Sequence, residues 1–221
     1  MKRTLSATFR FLRSDLAAAG VIALLVVLLA TGLNVMVALL DSPQNAPLVM
    51  MVTLIFGNGI CAMVFSIVYF SNWFTTLLAF PASRRGLLAA ILLFCLSLSA
   101  GLLVLTLLAG SLCTLILGAA LGCTLAMPWQ GTPWFVWPLA LLLPPLLGLV
   151  MGGVQSRFGP RAFWVLYFGF LILGSTTSMW LPVLSAQSPT GWLTALGAAA
   201  CAGLLALTAL SLRWLLRAAV R

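Results

Sequence analysis

Leu87–Met127 reads LLAAILLFCLSLSAGLLVLTLLAGSLCTLILGAALGCTLAM, 41 residues without a charge. A helix crosses the hydrocarbon of a bilayer with about 20 apolar residues. The stretch therefore holds either one overlong helix or two short ones, and the choice sets the topology. The other apolar runs, 16–40, 47–70, 134–156, 161–182 and 192–216, each suit a single span.

The basic residues decide between the two readings. They fall in four places: Lys2, Arg3, Arg10 and Arg13; Arg84 and Arg85; Arg157 and Arg161; and Arg213, Arg217 and Arg221. Loops on the cytoplasmic side carry an excess of Lys and Arg. Six spans put all 11 basic residues on that side and leave 41–46, 128–133 and 183–191 without any. Seven spans would move five of them, from Arg157 onward, to the outside. The stretch 87–127 is therefore expected to cross once, with both termini cytoplasmic. Its surplus length must tilt, project beyond the bilayer or fold back, and Gly110-Ser111 offers a break point.

Composition agrees with a membrane solvent. The chain of 221 residues is 63% hydrophobic and 6% charged, with a mean hydropathy of +1.22. A soluble domain is about one quarter charged. No run is left over for a soluble domain, so residues 1–221 are expected to form one all-α integral membrane domain. The net charge of +9 sits between apolar runs, which points to membrane topology and not to a nucleic-acid partner. The five cysteines lie inside apolar runs with no C-x-x-C pair, as small packing residues do. Six tryptophans, 129, 134, 137, 180, 192 and 214, fall where interfacial belts are expected.

Two amphipathic pieces flank the early spans. Residues 1–15 read as an interfacial helix, with Leu5, Phe9 and Leu12 on the apolar face and Arg10 and Arg13 among the cations toward anionic headgroups. Because Arg10, Arg13 and Asp15 interrupt it, the first apolar run reads as a retained span, not a cleaved signal. The second piece is SNWFTTLLAF, residues 71–80, closed by Pro81. Ser71 or Asn72 is suited to cap a short helix there, and Ser83 to cap the next. Its apolar face of Trp73, Phe74, Leu77, Leu78 and Phe80, followed by Arg84 and Arg85, suits either a docking element for another protein or a surface linker.

The available chemistry is sparse. The chain has no His and no Glu, and its acids are Asp15 and Asp41, expected at opposite faces. That leaves no catalytic dyad, no metal site and no phosphate-binding loop, so no enzyme activity is expected of this chain, and no cofactor. Proton relays use ionisable groups inside the bilayer, and none lies near the middle of a span. The polar candidates Asn34, Thr53, Asn58, Ser66, Ser97 and Ser99 suit helix–helix hydrogen bonds or bonds back to their own helix. A sodium site built from carbonyls and hydroxyls is the alternative. Gly118-x-x-x-Gly122 and Gly148-x-x-x-Gly152 allow close helix approach, within the bundle or between copies, and Gly57-Asn-Gly59 offers a loosening of span two. If the protein does active work, its energy comes from another chain.

The layout resembles the ABC-2 type family of ABC exporter permeases. The resemblance rests on the basic amphipathic start, six spans with cytoplasmic ends, and the pattern Leu77-Leu-Ala-Phe-Pro81-Ala-Ser83-Arg84-Arg85 before the third span. It covers nearly the whole chain, with those nine residues as its local motif. The family commonly carries acidic residues leading to that proline; this chain has none after Asp41. The resemblance implies a permease subunit in the bacterial cytoplasmic (inner) membrane, paired with a second permease chain as homo- or heterodimer. A separate cytoplasmic ABC ATPase would bind ATP and Mg. Segment 71–85 would be the coupling helix, with Trp73, Phe74, Leu77, Leu78, Pro81, Ser83, Arg84 and Arg85 at the contact. On that reading, Asp at positions 77 and 78 uncouples hydrolysis from transport and leaves insertion intact. Two other classes fit the topology: a six-span substrate-capture subunit of an importer, docking through Ala19-x-x-x-Ala23, and a non-transporting membrane scaffold or assembly protein.

Overall fold

The computed structural model describes residues 13–40, 46–77, 83–122, 134–159 and 191–217, together with 125, 127, 129, 161, 162, 164 and 168. These residues are mostly helical. We number the helices α1 (Arg13–Leu40), α2 (Ala46–Val68), α3 (Arg84–Leu121), α4 (Val136–Phe158) and α5 (Gly191–Arg217). Beyond α2 the helix continues without a break, through a π-helical turn at Tyr69–Trp73 into a last α turn at Phe74–Leu77. Among the described residues four helical stretches are long and apolar enough to cross a membrane: Asp15–Leu40, Val49–Trp73, Arg84–Leu121 and Val136–Phe158. In hydrocarbon every backbone polar group needs a partner, and a helix supplies one within itself. The described secondary structure is all helical, and its four long apolar stretches mark a membrane protein. The interfacial face Leu5, Phe9, Arg10 and Leu12, and most of the expected span 161–182, lie outside the described residues.

Within the 41-residue run, residues 87–121 form one unbroken helix. α3 is 38 residues long and passes through Gly110-Ser111 without interruption. Its start is capped as expected: Ser83 is extended, at φ −69° and ψ 132°, and its side chain accepts the Gly86 N–H at 3.2 Å. Its end is Gly122, at φ +64°, whose N–H returns to the Gly118 carbonyl. Only glycine holds that left-handed geometry without strain. Gly122 is thus a cap, so Gly118-x-x-x-Gly122 is no continuous packing face.

α2 lies at the centre, packed against α1, α3 and α4, and α4 in turn packs on α5. Glycine sets these approaches. A Cβ on Gly148 would come within 2.8 Å of the Ser66 carbonyl carbon, and one on Gly152 within 2.9 Å of that of Phe70. Gly148-x-x-x-Gly152 therefore seats α4 directly on the α2 backbone, inside this chain. Gly153 does the same toward α5, where a Cβ would sit 2.9 Å from Ser211 Cα. Gly57 faces the Val26 side chain of α1, and α2 continues through it without loosening.

Proline shapes α4. Pro144 and Pro145 lie inside the helix, and neither has an N–H for the carbonyls of Ala140 and Leu141 one turn earlier. Ser99 of α3 serves that pair: its hydroxyl is 3.4 Å from the Ala140 oxygen and 3.0 Å from that of Leu141.

The contacts also fix how the helices are offset. Thr31 of α1 meets Cys113 of α3 at 3.5 Å, which brings Leu40 level with the end of α3. At the other end α3 begins about ten residues, or ~15 Å, before α1. Ser99 beside Ala140 places the start of α4 well short of the far end of α3. α1 thus covers the far part of α3, and α4 the near part.

Candidate functional site

The arginine-bearing helix ends meet at one end of the bundle. Arg84 at the start of α3 donates through Nη1 to the Leu216 carbonyl near the end of α5, at 3.3 Å. A cation at the last carbonyls of a helix is favourably placed. Phe158 at the end of α4 stands edge-on to Trp214 of α5, with ring centroids 5.6 Å apart. Arg84, Arg85, Arg157, Arg161, Arg213 and Arg217 are all exposed there.

Segment 69–77 enters this end, and its register decides what it presents. Tyr69, Phe70 and Phe74 are completely buried and Leu77 is 8% exposed. They pack with Leu87, Leu88, Ile91 and Phe94 of α3, and Trp73 lies half-buried against the same cluster. The expected docking face of Trp73, Phe74 and Leu77 is therefore turned into the chain's own core. The outward groups of the segment are Asn72 and Thr76, and beyond it come Ser83, Arg84 and Arg85. Leu78 and Pro81 lie outside the described residues. Arg13 is the first residue of α1, not part of a separate helix among the described residues. No new helix starts at Ser71 or Asn72, because the helix runs through them as a π turn; the Ser71 hydroxyl points back to the Val68 carbonyl at 3.5 Å. An aspartate at 77 would thus be forced into a packed apolar site, and its first effect would be on folding, not on coupling.

The π turn was not foreseen from the residues. π turns inside α-helices are rare and frequent at functional sites. Here the Phe74 N–H closes on the Tyr69 carbonyl, five residues back. Tyr69 is gripped from three sides. The Phe94 ring stands edge-on at 5.3 Å, the Phe65 ring lies at 6.0 Å, and the Asp15 carboxylate of α1 is in electrostatic reach of the hydroxyl. No hydrogen bond of ordinary geometry closes on that buried hydroxyl. Beside this contact a lateral recess of about 190 Å³ opens between α1 and α3, lined by Leu16, Gly20, Phe94, Ser97 and Gly101 among others.

The polar groups inside the bundle are spent on helix contacts. Asn58 of α2 donates to Thr106 of α3 at 2.5 Å, and Asn34 of α1 to the Met50 sulfur of α2 at 3.1 Å. Thr53, Ser66 and Ser97 bond back to carbonyls of their own helices. The side-chain oxygens of Asn34 and Asn58 are buried without a donor, but they belong to separate contacts and do not converge. Cys61 and Cys95 are buried free thiols and Cys113 is half-buried. Among the described residues no three His, Cys, Asp or Glu side chains come together as a metal site. Comparison with protein-family models, with curated proteins and with solved structures gives no match.

Proposed function

We propose that the chain is the membrane permease subunit of an ATP-driven exporter of the ABC-2 type, energised by a separate cytoplasmic ATPase. In this reading it has six spans, an interfacial helix over 1–15 and cytoplasmic termini, and it works with a second permease chain in a bacterial inner membrane. The observation that carries the reading is the gathering of the arginine-bearing ends of α3, α4 and α5 beside segment 69–77. The spans themselves offer no ionisable group at mid-depth to couple an ion gradient. Force then has to enter at a helix end, and this end carries both the charge and the inserted segment.

The docking surface differs in kind from the apolar face read in the residues. Phe74 and Leu77 hold the segment to α3, and the partner meets Asn72, Thr76, Ser83, Arg84 and Arg85. Such a surface suits an acidic groove on the ATPase, since complementary charge fixes register and speeds encounter.

Arg85→Glu tests this while sparing the Arg84–Leu216 bond. The variant should insert and purify like the parent. Its affinity for the co-expressed ATPase should fall by about tenfold or more, as loss of an interfacial charge pair does. Permease-stimulated ATP hydrolysis should fall with it. Undiminished binding and stimulation would remove Arg85 from the interface, and purification without any ATPase would count against the whole reading.

A further inference from the structure

Close helix approach accounts for Gly148, Gly152 and Gly153. It does not account for Gly20 of α1 or Gly101 of α3, where a Cβ would meet nothing within 4 Å. Both are exposed, and both line the lateral recess of about 190 Å³ between α1 and α3. Residues four apart share a helix face. The exposed rows that meet here are Leu16, Gly20, Leu24 and Leu28 on α1, and Leu93, Ser97, Gly101 and Leu105 on α3. Large side chains stand at the ends of each row, and the small ones fall side by side. The result is a notch in a leucine-covered surface. Its floor is closed, because Ala19, Phe94, Leu98 and Leu102 beneath it are buried in the core. Ser97, the polar side chain among the lining residues, spends its proton on the Phe94 carbonyl of its own helix, at 2.8 Å. A water needs two to four polar partners, whereas an apolar cavity of about 150 Å³ stays dry and takes a hydrocarbon ring.

We propose that this notch is a binding site for one acyl chain of a membrane phospholipid, from the leaflet on the side of Arg13 and Asp15. The occupant follows from what the notch adjoins. Its rows belong to the apolar stretches Asp15–Leu40 and Arg84–Leu121, so it is continuous with the surface these helices present to hydrocarbon. A void there forfeits dispersion contacts on one side, and a lipid chain restores them. Depth agrees. Charged groups stay out of the hydrocarbon, so the notch begins at its edge, where Leu16 follows Asp15. Along α3 it runs from Phe94 to Leu102, about 12 Å, within the ~15 Å that one leaflet contributes to the hydrocarbon. A second helix is the competing occupant. It needs small residues on successive turns to come close, and the α1 row has leucine one turn to either side of Gly20. The bound chain fills the gap between α1 and α3 on the charged side; farther along, the two helices meet directly at Thr31 and Cys113. The inference rests on the membrane fold and not on the ATPase reading.

The test uses the full chain in vesicles of phosphatidylethanolamine and phosphatidylglycerol, doped with a phosphatidylcholine that carries a diazirine midway along one acyl chain. After illumination, mass spectrometry of peptides locates the lipid adducts. Adducts on the two rows at the notch should exceed those on the exposed face of Leu108, Leu112 and Leu115 by severalfold. Gly101→Leu and Gly20→Leu fill the notch, and each should lower its adducts severalfold while leaving the reference face unchanged. Gly203→Leu, at another exposed glycine whose Cβ would meet nothing within 4 Å, should leave the pattern as it was. Equal labelling of notch and reference face overturns the proposal, as does labelling that filling the notch leaves unchanged. A photoreactive phenylalanine at position 97 supplies the second measurement: adducts to lipid support the proposal, and cross-links between two copies of the chain overturn it in favour of a helix contact. Should a leucine variant fail to fold, alanine at the same position should give a smaller fall in the same direction, and no fall overturns the site.

Discussion

Gly152→Val should abolish the folded bundle, and Gly152→Ala should already weaken it sharply. The Gly152 backbone lies on the backbone of α2, where an added Cβ would come 2.9 Å from the Phe70 carbonyl carbon. No side chain is available there to swing aside, so the two helices themselves must separate. Overpacking in a core costs about 1–3 kcal/mol, and more where backbone has to move. Separation would also uncover Ser66 and Phe70 and tilt α4 away from α5. Thermal melting in mild detergent, followed by size-exclusion chromatography, measures the effect. Valine should leave little monodisperse protein, and alanine should lower the midpoint. The control is Gly20→Ala, where a Cβ meets nothing within 4 Å; it should melt like the parent. If Gly152→Val melts like the parent too, the packing of α2 on α4 is wrongly described.

Ser99→Val removes the hydroxyl that lies against the Ala140 and Leu141 carbonyls. Valine adds one heavy atom at this buried site, as threonine does, so the difference between Ser99→Val and Ser99→Thr is one of hydrogen bonding. Neither carbonyl can turn to the prolines, which have no N–H, and neither can turn to water in hydrocarbon. A buried polar group left without a partner costs about 1–3 kcal/mol, which puts the expected loss in the upper part of that range or beyond it. Ser99→Thr keeps the hydroxyl and should recover most of the stability. Installing an N–H through Pro145→Ala should also reduce the cost of Ser99→Val, because the Leu141 carbonyl regains an acceptor role in its own helix. A double-mutant cycle on melting midpoints reads that coupling. Strict additivity of the two substitutions would show that Ser99 does not serve the proline gap.

These two sites mark what the residues alone reveal. The apolar runs and the Ser83 cap follow from composition and local turn chemistry, whereas the residues of 87–127 leave open whether the run breaks at Gly110-Ser111. Each of those signals is contained within one segment. The Ser99 contact joins residues more than 40 positions apart, and a serine in an apolar run looks the same whether it bonds its own helix or a neighbour. The glycine pair 148 and 152 announces a close approach but not the helix approached. At segment 71–85 the apolar pattern was visible, but its direction was not. Trp73, Phe74, Leu77 and Leu78 read equally well facing a partner or facing α3. The orientation of Trp73, Phe74 and Leu77 follows the π turn at 69–73, and nothing in the letters YFSNW distinguishes that turn from an α turn.

The length of α3 has a mechanical side. An unbroken helix of 38 residues is a rod of about 57 Å, roughly twice the ~30 Å of hydrocarbon. One end is tied to α5 through Arg84, and the other lies beside the last turns of α1. If the arginine end acts as the fulcrum, a lean of only ~10° carries the opposite tip about 10 Å sideways. A small movement near the arginine cluster is thereby geared up on the other side of the membrane, with α1 rather than α4 riding on the long arm.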